Sequence, residues 1–249
     1  MFRGIVAVVT ARETPEGAGA VVRRALPSAQ LPSLDPFVLL DEFFVQPPAA
    51  FPEHPHRGFE IVTYVLDGSF RHRDTLGNDS TLPAGGIQRI TTGRGIQHAE
   101  MPQAEGMNRG LQLWINLPRA LKGIEPEYQA VPPAAIPATA GDGYRVRQVV
   151  GGSSPVRLHT PVLYLDVALE PGKTWSEQVP STYAGFLYVL EGSGRFGADA
   201  KEGGAGQLLV LGPGDEARAT ASGREPLRFA LVAGQPLGEP IRIRGSFVD

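Results

Sequence analysis

The chain contains no cysteine. Disulfides and thiolate metal sites are therefore excluded, and any metal must be held by His, Asp or Glu. Histidine is also scarce, five in 249 residues. Neither charge sign dominates: 23 Lys and Arg stand against 26 Asp and Glu, a net charge of -3. With no lysine-rich or arginine-rich block, the sequence offers no electrostatic footprint for nucleic acid or an anionic membrane. No apolar run approaches the roughly 20 residues of a membrane-spanning helix. The opening Met1-Phe2-Arg3-Gly4-Ile5-Val6-Ala7-Val8-Val9 is too short and too soon broken for a secretory signal, so a cytoplasmic location is the expectation. Helical periodicity is scarce as well.

What the sequence does have is glycine (31) and proline (23) in quantity, with 42% hydrophobic and 20% charged residues. That composition suits an ordinary globular protein of one large or two average domains, built from many short strands joined by tight turns. Strand character is read over residues 3–9, 21–26, 60–66, 70–74, 87–92 and 111–117, and a Pro-started apolar run covers 35–44. It returns over 144–150, 162–169, 186–190, 208–211 and 227–232. Asp67-Gly68 after a β-branched run is a hairpin signal. Thr10 to Gly19 reads as a polar loop. Asp41 and Glu42, near the end of an apolar run, read as a hydrogen-bonded strand end. Residues 126–142, with Pro132-Pro133, make the best linker candidate.

The chemistry concentrates between His54 and Glu100. Side chains at i and i+2 of a strand leave on one face. His54 and His56 in His54-Pro55-His56 therefore point together, and so do His98 and Glu100 in Gly93-Arg94-Gly95-Ile96-Gln97-His98-Ala99-Glu100. If the two segments are neighbouring strands of one barrel, three imidazoles and one carboxylate converge. Such a set suits iron, manganese, nickel, copper or zinc, and ligand type alone does not choose among them. His72, between Arg71 and Arg73, reads as exposed and structural, and His159 as structural. Gln112, Trp114 and Asn116 share a strand face suited to lining a pocket.

Tyr64-Val65-Leu66-Asp67-Gly68-Ser69 is echoed by Tyr188-Val189-Leu190-Glu191-Gly192-Ser193, and Gly93-Arg94-Gly95 by Gly212-Pro213-Gly214. Two landmarks in the same order imply a duplicated β-barrel unit. At the positions equivalent to His54, His56, His98 and Glu100 the second copy has Gln178, Pro180, Ala217 and Ala219. Metal binding is therefore expected in the first copy only. The expected division is a metal-binding N-terminal domain over 1–130, a linker over 131–142, and a C-terminal domain without ligands over 143–249.

A His-x-His segment, a Gly-rich break and a second His segment resemble the two motifs of the cupins, which are double-sheet β-barrels. More closely, Gly17 to Pro27, Leu34 to Phe43, His54 to Gly68, Thr92 to Pro102, Gly110 to Leu117, Pro161 to Leu165 and Leu231 to Val248 resemble the pirins. The resemblance implies an all-β fold of two tandem cupin barrels. It implies one divalent metal, Fe(II) before Mn, Ni, Cu or Zn, on His54, His56, His98 and Glu100, with Glu60 left out of the ligand set. It further implies quercetin 2,3-dioxygenase chemistry on a flavonol and dioxygen, with Glu100 as general base. The alternative it carries is a metal- or redox-responsive regulatory partner of a transcription factor or metabolic enzyme, for which Arg23-Arg24 offers a small basic patch. Phe59 and Met101 are further candidates for the cavity wall. Two departures stand out: Arg89 where pirins commonly carry Trp, and a sequence that stops at Asp249 where a helical tail usually follows.

Overall fold

A computed structural model describes residues 1–249. It contains no α-helix, only two 3-10 turns at Arg119–Leu121 and Pro133–Ala135. No helix is long and apolar enough to cross a membrane.

Two compact units are built to one plan. Arg12–Ile136, Pro155–Thr160 and Leu237–Asp249 form one; Met1–Ala11, Pro137–Ser154 and Pro161–Pro236 form the other. This differs from a division at 130 and 143, for a hydrogen-bonding reason. Ile5–Thr10 pairs antiparallel with Gln207–Leu211, and the Val248 amide donates to the Arg57 carbonyl at 3.0 Å. Nor is 131–142 a bare linker, because Ala138–Gly141 pairs with Tyr144–Val150.

The histidine-bearing unit has a seven-stranded sheet in the order Glu127–Val131, Ile87–Thr91, Phe59–Asp67, Asn108–Asn116, Phe37–Val45, Ala20–Leu26, Arg12–Glu16. Facing it is a four-stranded sheet, Phe51–His56, Ile96–Pro102, Ser69–Asp74, Asp79–Pro83. The other unit repeats both orders with Ala184–Glu191 in the place of Phe59–Asp67, so Tyr64 and Tyr188 fall on equivalent central strands, as the sequence echo implies. The polar loop expected over Thr10–Gly19 is instead an edge hairpin, Arg12–Glu16 paired with Ala20–Leu26. Its residues alternate too weakly to read as a strand; the neighbouring strand supplies the hydrogen bonds that hold it.

Alternation fills the interior between the sheets. Phe43 meets Phe70 edge-on at 4.9 Å, and Val22, Val45, Val65 and Leu82 close around them. Burying each such side chain contributes roughly 1.5–3 kcal/mol. In the second unit, Trp175, Phe196 and Phe229 occupy the interior with Ala217 and Ala219. Ala217 pairs with Glu177 rather than Gln178, so the second copy is shifted by one residue from the sequence alignment of the repeats.

The corner after His56 depends on Gly58. Its φ of 89° is one that side-chain-bearing residues rarely adopt, and a Cβ there would run into the Val248 carbonyl oxygen. Gly58→Ala is expected to cost about 1–3 kcal/mol of stability from the backbone alone, with displacement of the C-terminal segment in addition. Denaturant unfolding of the variant checks this.

Candidate metal centre

His54 and His56 lie on Phe51–His56, an edge strand carrying Pro52 and Pro55. Proline gives no N–H to a ladder, so an edge is where such a strand is tolerated. Its neighbour, Ile96–Pro102, sets His98 opposite His54 and then slips register, with Glu100 opposite Phe51. An irregularity of this kind re-aims side chains, and it falls at the cluster.

The nitrogens converge. His98 Nε2 is 3.1 Å from His54 Nε2, and His54, His56 and His98 offer three nitrogens within 4.8 Å of one another. Their opposite ring nitrogens have partners: His54 Nδ1 faces the Pro52 carbonyl at 2.7 Å and His56 Nδ1 the Ser246 carbonyl at 3.4 Å. A carbonyl only accepts, so each Nδ1 carries the proton and each Nε2 keeps its lone pair. His56 Nε2 is buried and has no hydrogen-bond partner. A buried lone pair left unpaired among other lone pairs is costly for a folded chain and fits a metal ion. Burial, with the nearby His54, pushes His56 down to about 3, and burial holds His98 well below the usual imidazole range. Both rings are thus neutral, as ligands must be.

Glu100 is 4% exposed and completes a second group of donors with His72 and His98. Gln88, from the facing sheet, donates to one carboxylate oxygen, and Gln112 to the other at 3.2 Å. Burial nevertheless pushes Glu100 up to about 7, against the pull of those two amides. Trp114 Nε1 donates to Gln112 Oε1 at 3.0 Å, which turns the amide nitrogen of Gln112 toward Glu100. Gln88 is a position the sequence reading passes over. Its signal is a lone amide in the otherwise apolar phase of Ile87–Thr91.

His72 corrects the expectation most. It is 1% exposed, not a surface residue. Phe70, His72 and Asp74 share the inward phase of Ser69–Asp74, while Arg71 and Arg73 point away. His72 Nε2 is 2.9 Å from Asp74 Oδ2, and its ring stacks on Tyr128 at 4.3 Å. With its Nδ1 facing His98, both its nitrogens are engaged.

The remaining candidates are held by other partners. Glu60 is fully buried, accepting from Thr91 Oγ1 at 2.9 Å and from the His159 amide at 2.9 Å, so it and His159 are structural partners. Arg89 sits one residue out of phase from Gln88 and bonds Thr91 and Glu127, so it does not wall the metal cluster. Asp41 takes a two-pronged ion pair from Arg24, and Glu42 is paired with Arg109.

His54 and His56 open into a cavity of about 540 Å³. Glu100, Gln112 and Trp114 line it as well, with Val22, Leu39 and Phe43 on its apolar side. Phe59 is stacked behind Trp114 at 4.2 Å and does not line it; neither do Met101 and Asn116.

Residues 19–115 match the Pirin family, and residues 164–249 match the Pirin C-terminal cupin domain. A pirin-like protein of Solanum lycopersicum is 47% identical over 99% of this chain and 86% of its own length. Human pirin is 41% identical over 96% of this chain and 85% of its own. The crystal structure of a quercetin 2,3-dioxygenase from Acinetobacter baumannii superposes with a TM-score of 0.90 at 29% identity, covering 100% of this chain and 92% of that one. With two cupin barrels of one plan, a histidine cluster in one of them, and these matches over most of its length, the chain belongs to the pirin family.

Proposed function

We propose that this chain is a metal-dependent dioxygenase that opens flavonols such as quercetin. His54, His56, His98 and Glu100 are the proposed ligands, Fe(II) the proposed metal and Glu100 the proposed base. The observation that carries the reading is the meeting of three imidazoles, His54, His56 and His98, beside a buried carboxyl, with His54, His56 and Glu100 facing one cavity of ligand size. A pocket with an apolar wall and a few convergent polar groups suits a drug-sized aromatic molecule. The likeness to the Acinetobacter baumannii quercetin 2,3-dioxygenase supports the same choice.

A metal held here supplies Lewis acidity that lowers the pKa of an enolic hydroxyl. The chain's own groups do the rest. The enolic O–H bond breaks and its proton passes to a Glu100 oxygen; Gln88 and Gln112 hold that carboxylate in place. Val22, Leu39 and Phe43 offer the ring system an apolar wall. In the overall reaction both atoms of dioxygen enter the products, the heterocycle opens, and one carbon leaves as carbon monoxide.

Trp114→Phe keeps an aromatic ring against Phe59 but removes the donor that orients Gln112. We expect metal content to hold and quercetin turnover to fall about tenfold, the worth of one hydrogen bond of roughly 1–1.5 kcal/mol. Steady-state assay beside metal analysis of the same sample checks it.

The regulatory alternative gains nothing from Arg23-Arg24. Arg24 is neutralised by Asp41 and Glu16, and Arg23 lies 3.7 Å from Glu13. The deciding experiment loads the protein with Fe(II) under anaerobic conditions, adds quercetin, then admits oxygen. Quercetin loss with carbon monoxide release is expected. A full complement of iron with no quercetin loss would overturn the enzymatic reading.

A further inference from the structure

Behind the metal cluster runs a line of hydrogen bonds that none of the proposed ligands explains. His98 Nδ1 is 3.4 Å from His72 Nδ1, and His72 Nε2 is 2.9 Å from Asp74 Oδ2. The side chains of His72 and Asp74 are 2% and 0% exposed, so water does not substitute for either contact. Asp74 itself is fixed: its Oδ1 accepts from the amides of Leu76 and Asn78 at 2.9 and 3.0 Å, and the Asn78 side chain donates to both oxygens. Tyr128 stacks on the His72 ring at 10° between planes, which holds its orientation.

We propose that Asp74 and His72 form a hydrogen-bond relay that sets the tautomer of His98, making both of them positioning residues for the metal centre. The inference rests on the metal reading above and adds to it two residues that do not touch the ion. A carboxylate only accepts, so His72 carries its proton on Nε2 and presents a bare Nδ1 to His98. His98 must then carry its proton on Nδ1, which leaves the Nε2 lone pair facing His54 Nε2. His54 and His56 get the same tautomer directly from backbone carbonyls. His98 has no such carbonyl partner among its contacts, and the Asp74–His72 pair takes that role.

Asp74→Asn inverts the line at the loss of one contact, the Asn78 side-chain donation to the Oδ2 position, while the donation to Oδ1 remains. The backbone amides of Leu76 and Asn78 require an oxygen at the Oδ1 position, so the new amide nitrogen faces His72. It donates to His72 Nε2, His72 then donates from Nδ1, and the His98 proton is forced onto Nε2, the atom needed for the metal. An aspartate that orients a histidine fails in the same manner when made asparagine in serine proteases.

The test is Zn(II) titration of metal-free wild type, Asp74→Asn and His72→Phe, with 15N NMR of the imidazoles in each metal-free form. Wild type should bind one zinc per chain and show His98 protonated on Nδ1. Asp74→Asn should bind zinc 10- to 100-fold more weakly, the usual effect of removing a ligand's supporting partner, and show the His98 proton on Nε2. His72→Phe should also weaken binding and should show no preference between the two His98 nitrogens. Asp74→Asn with wild-type zinc affinity and an unchanged His98 signature would overturn the relay while leaving the metal centre standing. Failure of wild type to bind zinc would overturn the metal reading, and the relay with it.

Discussion

His56→Ala is expected to lose nearly all of its metal. On the scale of structural zinc sites, about 10–16 kcal/mol for four ligands, one ligand accounts for roughly 2.5–4 kcal/mol, a loss of about two to three orders of magnitude in affinity. His56 is the sharpest choice because its Nε2 is buried and bonded to nothing in the chain. That orphaned atom also predicts how the metal-free variant behaves. Removing the ring forfeits its edge-on contacts with Trp114 and Phe59, at 5.0 and 5.3 Å, but also removes an unsatisfied buried group. The two effects oppose each other, so the variant should unfold close to the metal-free wild type and far below the metal-loaded one. Thermal unfolding with and without metal separates these outcomes. A metal-free variant far less stable than the metal-free wild type would show that His56 serves packing rather than coordination.

The second large effect is on pH. Glu100 in the metal-free fold keeps its proton up to about pH 7, and coordination requires the carboxylate. Binding therefore expels one proton below pH 7 and none above it. From pH 5 to 7 the wild type should gain about 100-fold in metal affinity from this group, a tenfold step per unit, and then level off. Glu100→Gln should lack that component at every pH and also lose quercetin turnover, by about 10²- to 10⁴-fold for an acid–base group. The same shift has a stability consequence of opposite direction. A carboxyl whose folded pKa lies above its unfolded value stabilises the fold at low pH, and that contribution disappears as pH rises through 7. Compared with Glu100→Gln, the metal-free wild type should thus lose about 3 kcal/mol between pH 4.5 and 7. Parallel pH courses for the two proteins in isothermal titration and in denaturant unfolding check both statements. Identical slopes would contradict the role given to Glu100.

Much of this centre was legible because it obeys the two-residue period of a strand. His54 with His56, and His98 with Glu100, needed only alternation to be paired, and the register brings the two strands together. The duplication was legible through turn residues, which sit at the same place in both units. What stayed hidden depends on partners far along the chain. The same alternation that paired the histidines also placed Phe70, His72 and Asp74 together, but two flanking arginines made His72 look exposed. Gln88 and Gln112 reach Glu100 from the facing sheet, which no local pattern announces. The Arg12–Glu16 strand and the segment exchange at both termini follow from neighbours that supply hydrogen bonds, not from propensity. Arg89 lay in the right strand but on the wrong face to shape the cavity.

The most direct test of the central claim is the metal content of wild-type protein purified without chelator and again after anaerobic reconstitution with Fe(II). One iron per chain, lost in His56→Ala, is the predicted result. Absence of bound metal after reconstitution would contradict the account at its base.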